Sequence, residues 1–417
     1  KKFFWLSIFL MAAAPGVSAV LLIFTGILSF KENFKQIIND RWNQFFILLF
    51  ILMPLIVLFQ SNFVEPLEVI VPLLNMWEKS LSWIGLTNWL PLFFSFLAFQ
   101  NFLNSQEDRI IFGKCLVAGC FPILISGFSQ IIFKTFGPFE FLNGFIIWFQ
   151  KPILPMEGMS SVFSNQNYAG AWFCIVFPFC LALFLDAKNT KLSKYISLLF
   201  LILITCSIVL TSSRSAWLGL LSFIPLIFGA SSLIWFLPVL FLIFLLILMA
   251  NGFFVPANYQ EFLRKILPRL LWLKFAPENY TYGISRFEIW EQAIFFILQK
   301  PLFGWGAAAF PLLYYSANKI WINHSHNLIF ELAISYGVPL TILVFGSIFL
   351  ICKTSFFKIY FNKNNFQNRA WFSSFFTLFL IQMFDIQYFD GRISLIFWIL
   401  LAGLKQINKT VKFYFLL

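Results

Sequence analysis

Apolar residues fill this chain in long blocks separated by short polar connections. Taken as membrane spans, runs of roughly 15 to 25 residues fall near 3–28, 44–60, 89–103, 111–133, 167–185, 194–212, 214–229, 231–249, 327–352, 371–389 and 391–404. That gives about eleven spans. The first block contains Pro15-Gly16 and is long enough to be two short spans forming a hairpin, which makes about twelve and returns both termini to one side. Lys1-Lys2 before an apolar stretch and Val17-Ser18-Ala19 also resemble a signal peptide with its small-residue cleavage site, but hydrophobicity continues through Leu28 and favours an uncleaved span. One long, more polar segment, about Asn251 to Asn323, interrupts the pattern.

Composition agrees with this pattern. The chain is 60% hydrophobic and 11% charged with mean hydropathy +0.85, whereas a soluble domain is roughly a quarter charged. The expected fold is an all-α polytopic membrane protein, one membrane domain over residues 1–417. Of the 29 Lys and Arg residues, 17 fall on one side of the alternating connections, among them Lys1, Lys31, Arg109, Lys188, Lys363 and Lys405. Seven more lie in the long segment and five in the short connections opposite, Lys79, Lys134, Lys151, Arg214 and Arg392. The positive-inside rule then turns the long segment outward. The net charge of +12 is spread over membrane-flanking loops and not gathered on a soluble face, so anionic membrane lipids, and no nucleic acid, are the expected partners. All six cysteines lie within or at the ends of spans, so neither a disulfide framework nor a thiolate metal site is implied.

The outer surface carries the candidate chemistry. Ser285-Arg286-Phe287-Glu288 has capping-box spacing and predicts a helix from about Arg286 to Gln299, ended by Pro301, with one face suited to the membrane surface. Arg286 then stands in the first turn, where unpaired N–H groups and the helix dipole outline an anion site; pairing with Glu288 or lipid headgroups is the plainer alternative. Upstream, Glu261 to Lys274 reads as a basic interfacial helix with Arg264, Lys265, Arg269 and Lys274. Thr211-Ser212-Ser213-Arg214-Ser215 joins two spans with almost no slack and sets Arg214 at the outer boundary of the hydrocarbon, as a second anion ligand or a snorkelling side chain. Ser164-Asn165-Gln166-Asn167 opens another span with a dense set of amides, which suit sugar hydroxyls and equally suit helix capping. Trp272, Tyr280, Tyr282, Trp290, Trp305, Tyr314, Tyr315 and Trp321 could stack on sugars, though an interfacial aromatic belt accounts for most of them.

The two histidines of the chain, His324 and His326, both lie where the long segment re-enters the membrane, in Asn323-His324-Ser325-His326-Asn327. Imidazole titrates near neutral pH, so His326 is a candidate proton acceptor, with helix-entry punctuation as the alternative. With two imidazoles and few nearby carboxylates, no catalytic metal is expected. Asn327 and Glu331 share a helical face at four-residue spacing, where Glu331 either orients a histidine or bonds a neighbouring helix.

In this order, Ser213-Arg214, Arg286 with Trp290, Pro301-Leu302-Phe303-Gly304-Trp305-Gly306, and His326-Asn327 with Glu331 and Gly337 resemble the O-antigen ligase and polymerase family of membrane glycosyltransferases, over about Ser164 to Pro339. Ser335 departs from many relatives, which carry an acid there. The resemblance implies a GT-C-like helical fold in the bacterial cytoplasmic (inner) membrane, with a site facing the periplasm. It implies transfer of a glycan from undecaprenyl pyrophosphate to a lipid or glycan acceptor hydroxyl, with no metal or other cofactor. His326 would be the general base, and Arg214 and Arg286 would bind the pyrophosphate; Asn165, Asn167, His324, Asn327 and Glu331 are further substrate-contact candidates. A ligase adding finished polysaccharide to a lipid is the preferred reading and a polymerase the nearest rival. A bicarbonate-type transporter would favour polar groups at midplane depth, whereas the ionisable groups here collect at the outer face. A non-catalytic assembly partner is the remaining alternative.

Overall fold

Pro15 divides the first apolar block, because proline supplies no N–H and its ring clashes with the preceding turn of a helix. Helix α1 spans Lys2–Leu10 and α2 spans Pro15–Glu32, packed against each other as a hairpin. The computed structural model describes residues 1–63, 79–154, 157–186, 190–267, 272–273, 276, 285–361 and 365–410. The helices continue with α3 (Phe34–Asn39), α4 (Arg41–Phe63), α5 (Lys79–Gly85), α6 (Leu90–Phe99), α7 (Gln106–Gly119), α8 (Phe121–Ile132), α9 (Gln166–Leu185), α10 (Lys191–Leu210), α11 (Arg214–Phe228), α12 (Leu233–Ala250) and α13 (Ala257–Ile266). They end with α14 (Arg286–Gln299), α15 (Ala309–Asn318), α16 (Leu328–Tyr336), α17 (Val338–Tyr360), α18 (Phe366–Ile381) and α19 (Gly391–Thr410). A small antiparallel hairpin, β1 (Phe139–Phe141) with β2 (Ile146–Trp148), is the exception to helix among the described residues.

The chain is thus an all-α polytopic membrane protein. Among the described residues, eight helical stretches are long and apolar enough to cross a membrane, from Pro15–Glu32 to Val338–Tyr360. The sequence pattern suggests about eleven or twelve, and length and charge explain the difference. Helices α1, α11 and α18 have 9, 15 and 16 residues, short of the roughly 20 that a span of hydrocarbon needs. α19 is long enough but carries Arg392, Lys405 and Lys409. The block expected over 371–389 ends as helix at Ile381, and the block over 327–352 breaks at Gly337 into α16 and α17. Both breaks turn out to shape the candidate site.

Helix α9 runs through the middle of the bundle against α7, α10, α11 and α18, and buries Trp172, Phe173, Ile175 and Phe179. Small residues set the approach: a Cβ on Gly219 would lie 2.9 Å from Thr377 and 3.1 Å from Cys174, so any larger residue there would push these side chains of α18 and α9 aside. Ile23, Ile51, Leu199 and Ile234 instead face outward, as bilayer-facing positions do.

At the end of the bundle remote from His326, one polar node ties distant helices together. Asp40, between α3 and α4, receives Lys405 at 3.0 Å and Lys409 at 2.5 Å. The Lys405 ammonium also donates to Asn43 Oδ1 and Gln100 Oε1, each at 2.6 Å. Its three donors are therefore all used, which a buried cation requires. Asp40→Asn is expected to cost roughly 3–5 kcal/mol, because it leaves Lys405 buried without its counter-charge. Lys405→Met, which removes the buried charge itself, is expected to cost less. Thermal unfolding of both variants in detergent checks the order.

Candidate functional site

The site rests on a backbone clamp that the Pro301–Gly306 motif makes on the α16–α17 turn. Trp305 N–H donates to Ile334 O at 2.7 Å, Gly306 N–H to Ser335 O at 3.1 Å, and Val338 N–H to Pro301 O at 2.7 Å. Gly337 has φ 85°, and a Cβ on it would lie 2.2 Å from Leu302 O, so this turn admits only glycine. From α4, Gln60 donates to Phe303 O and to Ser335 O, latching the clamp to the bundle. The Trp305 indole donates to Phe296 O at 2.8 Å, which attaches α14. The motif is thus a scaffold that sets α14, bearing Arg286, against α16, bearing the histidine loop.

Helix α14 starts where the sequence predicts, with Ser285 Oγ accepting the Glu288 N–H at 3.2 Å. It does not simply rest on the membrane surface. Ile289, Ala293, Phe296 and Ile297 pack with Phe310, Leu313, Ala333 and Ile334 in a second core, while Phe287 and Leu298 stay exposed. The upstream basic helix is shorter than expected: α13 ends at Ile266, and the Arg264 guanidinium stacks 4.5 Å over the Trp272 ring. Arg269, Lys274, Tyr280 and Tyr282 lie outside the described residues.

The histidine loop is held at both ends. Asn327 caps α16, its Oδ1 accepting from Ile329 and Phe330 N–H at 3.0 and 3.2 Å, and its Nδ2 donates to Met383 O. Glu331 is buried and accepts the Ser325 N–H at 2.9 Å. Between these anchors His326 takes φ 56°, a left-handed conformation that side-chain-bearing residues adopt only when their surroundings impose it. Its N–H donates to His324 Nδ1 at 3.2 Å, and the rings sit edge to face with centroids 4.1 Å apart. Burial drives the His324 pKa down to about 4, with His326 and Arg286 adding to the shift and Asp385 opposing it.

Asp385, in the turn after α18, gathers the rest. Its Oδ1 lies 2.7 Å from His326 Nδ1, and its Oδ2 accepts from Asn167 Nδ2 at 2.7 Å and Gln387 Nε2 at 3.2 Å. Arg286 Nη2 stands 4.0 Å from Oδ1. Burial favours the neutral acid, but the His326 hydrogen bond and the charges of both histidines and Arg286 outweigh it and hold Asp385 below the usual carboxylate range. The Arg286 pKa is lowered as well. Burial lowers its pKa, Asp385 raises it, and the charge of Arg214 lowers it, so the two arginines share one electrostatic neighbourhood. Arg214 begins α11 two residues after Ser212, itself left-handed at φ 54°. The sequence-nominated Arg214, Arg286 and His326 therefore converge.

The other nominations separate by role. Asn167 reaches the site through Asp385, whereas Asn165 caps α9 by accepting the Asn167 N–H at 2.7 Å. Asn327 and Glu331 brace the loop, and His324 braces His326. Asp385 was not nominated, and the expectation of few carboxylates near His326 needs correcting: the acid comes from 59 residues away. The signal was an ionisable residue inside an apolar block, which in a membrane protein is a functional candidate by default. His324, His326 and Asp385 each offer a ligand atom within 4.8 Å of the others, a set able in outline to hold a metal ion. However, His326 Nδ1 and His324 Nδ1 are already engaged, and Arg286 adds positive charge 4.0 Å from the carboxylate.

Residues 198–345 match the O-antigen ligase family model. The chain resembles that family, and the match takes in Arg214, Arg286 and His326 but ends before Asp385. The ComP-specific O-oligosaccharyltransferase of Acinetobacter baylyi is similar over 193 residues at 28% identity, covering 43% of this chain and 32% of that protein. The chain thus spans about a third of the length of this curated relative. Within the O-antigen ligase-like region, Gly337 and the Pro301–Gly306 clamp supply the rigid geometry and the arginines supply the charge.

A pH dependence follows from His324. Its folded pKa, about 4, lies below its ordinary 6.5, so between these values the unfolded chain binds the extra proton and stability rises with pH. The contribution is complete above about pH 6.5 and is lost as pH falls toward 4. Asp385, with its pKa also depressed, adds a loss of the same sign at lower pH. The thermal midpoint of the wild type is expected to fall over this range, and His324→Asn to flatten the upper part of the curve.

Proposed function

We propose that this protein is an inverting, metal-independent glycosyltransferase of O-antigen ligase type. It moves a glycan from a polyprenyl pyrophosphate carrier, in bacteria undecaprenyl pyrophosphate, to a hydroxyl of a lipid acceptor at the periplasmic face of the cytoplasmic membrane. The observation that carries the reading is the 2.7 Å contact between Asp385 Oδ1 and His326 Nδ1, with Arg286 beside it. A carboxylate on Nδ1 fixes the proton there and leaves the Nε2 lone pair to accept another. The family match and the oligosaccharyltransferase relative support glycan transfer as the class of chemistry.

In the proposed step the acceptor oxygen attacks the anomeric carbon from the face opposite the carrier. A new glycosidic C–O bond forms as the C–O bond to pyrophosphate breaks, and that electron pair stays on the pyrophosphate oxygen. The acceptor proton passes to His326 Nε2, and Asp385 stabilises the resulting imidazolium. Arg286 and Arg214 meet the charge that grows on the leaving group, through forked hydrogen bonds suited to phosphate. Fixed cations can thus do electrostatically what a metal ion does elsewhere. A polymerase joining repeat units would use the same geometry with a carrier-linked glycan as acceptor.

His326→Ala is expected to lower single-turnover transfer roughly 100- to 10,000-fold while leaving donor affinity intact. Asp385→Asn is expected to lower the rate without weakening donor binding, because it removes the counter-charge of the imidazolium. Arg286→Lys and Arg214→Lys are expected to weaken donor binding as well. Near-normal turnover in His326→Ala, in protein shown to be folded and inserted, would remove the mechanism. Separately, transfer is expected to persist in excess chelator. Loss of activity that returned on adding a divalent ion would show that the histidine–aspartate set binds a metal.

A further inference from the structure

The connection between α8 and α9 holds the β1–β2 hairpin, which the candidate site does not use. From Phe139 to Gln150 it reads Phe-Glu-Phe-Leu-Asn-Gly-Phe-Ile-Ile-Trp-Phe-Gln, with Glu140 its one charged residue. Phe133, Leu142 and Phe145 are 73%, 71% and 51% exposed, and Phe141 and Phe149 are exposed as well. Exposed apolar side chains grouped on one connection mark a contact with a membrane or another molecule.

The hairpin is firmly mounted. Two strands of three residues are marginal by themselves, and neighbours hold these. Trp148 Nε1 donates to Ala13 O at 2.7 Å in the α1–α2 turn, and β2 packs on α2. The Phe145 ring covers Gly16, where a Cβ would lie 3.4 Å from it. Gln150 is buried at the root, its Nε2 donating to Thr135 O at 2.8 Å and its Oε1 accepting from Ser126 Oγ at 2.6 Å. The exposed side chains therefore project from a fixed base.

Its height follows from the helices around it. The apolar stretch that α8 completes ends at Ile132, and α10 runs 20 residues from Lys191 to Leu210, about 30 Å of helix. Ile132 and Leu210 thus mark one edge of the hydrocarbon, and Arg214 begins α11 just beyond it. The chain leaving the hairpin stays at this edge: Phe149 N–H donates to Val162 O at 3.4 Å, and Met159 N–H to Leu210 O at 2.9 Å. Ala12, next to the residue that Trp148 binds, accepts from Arg392 Nη1 at 3.4 Å, and Arg392 pairs with Asp390. The hairpin and the candidate site therefore share one side of the membrane.

The exposed side chains continue the bilayer-facing surface of their neighbours, Ile132 on α8 and Val20 and Ile23 on α2. Each strand has a single partner, so its other edge leaves backbone N–H and C=O groups that hydrocarbon cannot satisfy. Headgroups and water can. Aromatic rings favour that layer, and Lys134 and Lys151, both exposed, flank the hairpin where lipid phosphates stand.

We propose that the β1–β2 hairpin is an interfacial anchor, with Phe141, Leu142 and Phe145 seated in the headgroup layer and upper acyl chains of the leaflet on the side of the candidate site. The same connection packs Gly158 so closely that a Cβ on it would lie 2.2 Å from Thr211 O, in the turn that carries Arg214. The anchor is thereby joined to that turn. It stands independently of the glycan-transfer reading.

The test places an encoded fluorescent amino acid at Leu142 or at Phe145 of the full chain in phosphatidylcholine nanodiscs. Phe241, exposed midway along α12, is the deep reference, and the free amino acid in water is the shallow one. Lipids carrying a nitroxide at the headgroup or at the fifth acyl carbon are expected to quench both hairpin positions about threefold more than lipids carrying it near the chain end, the reverse of the order at Phe241. Aqueous iodide is expected to quench both about threefold less than the free amino acid. Both side chains are exposed, and two positions keep the test intact should one variant fail to accumulate. Iodide quenching equal to that of the free amino acid, with none from the lipids, would make the hairpin a water-facing surface open to a protein partner. Strongest quenching from the chain-end nitroxide would put it within the hydrocarbon, and protection from every quencher would show it packed against protein; each overturns the proposal.

Discussion

A buried carboxylate must be fully hydrogen-bonded or give up its charge, and Asp385 meets that constraint by drawing four separate parts of the chain together. Asn167 comes from the first turn of α9, His326 from the loop before α16, Arg286 from the start of α14, and Gln387 from its own turn. The three hydrogen-bonding groups and the Arg286 charge, 4.0 Å away, each compensate part of the desolvation cost of the acid. The acid in turn fixes which nitrogen of His326 carries the proton and opposes the lowering of the Arg286 pKa by burial. Basicity on one side of the site and cationic charge on the other thus arise from a single counter-ion.

That arrangement needs a rigid mount, because the donors lie on helices with no covalent reason to stay in register. The backbone bonds from Trp305, Gly306 and Val338 and the latch from Gln60 provide it. Backbone bonds suit this role, since their geometry is insensitive to rotamer changes. Two of the left-handed, side-chain-bearing residues, His326 and Ser212, sit where the chemistry is proposed, and they are held by Asn327, Glu331 and His324 on one side and by the close packing of Gly158 against Thr211 on the other. Strain of this kind persists only where neighbours over-determine it.

Much of the site was legible because it is written locally. A capping serine and a glutamate three residues on set the start of α14, and therefore the position of Arg286 in its first turn. Pro15 announced the α1–α2 break, and the absence of slack between Thr211 and Ser215 announced the exposed Arg214. The aromatic and glycine motif at Pro301–Gly306 could be noticed but not explained, since its partners are backbone groups some thirty residues further on. Asp385 was passed over for a related reason. It lay inside an apolar block, and only the end of α18 at Ile381 shows that the block is a helix followed by a turn.

The sequence by itself determined the class of fold, the helix break at Pro15 and three of the polar groups now found together, because hydrophobic block length, proline and capping chemistry act within a few residues. Tertiary structure alone decided which carboxylate orients His326, that His324 and Glu331 brace the loop, and that α14 buries one face against α15 and α16. These are choices among many equally polar candidates separated by tens or hundreds of residues. Close packing and the cost of leaving a charge unpaired select among them only once the helices have met.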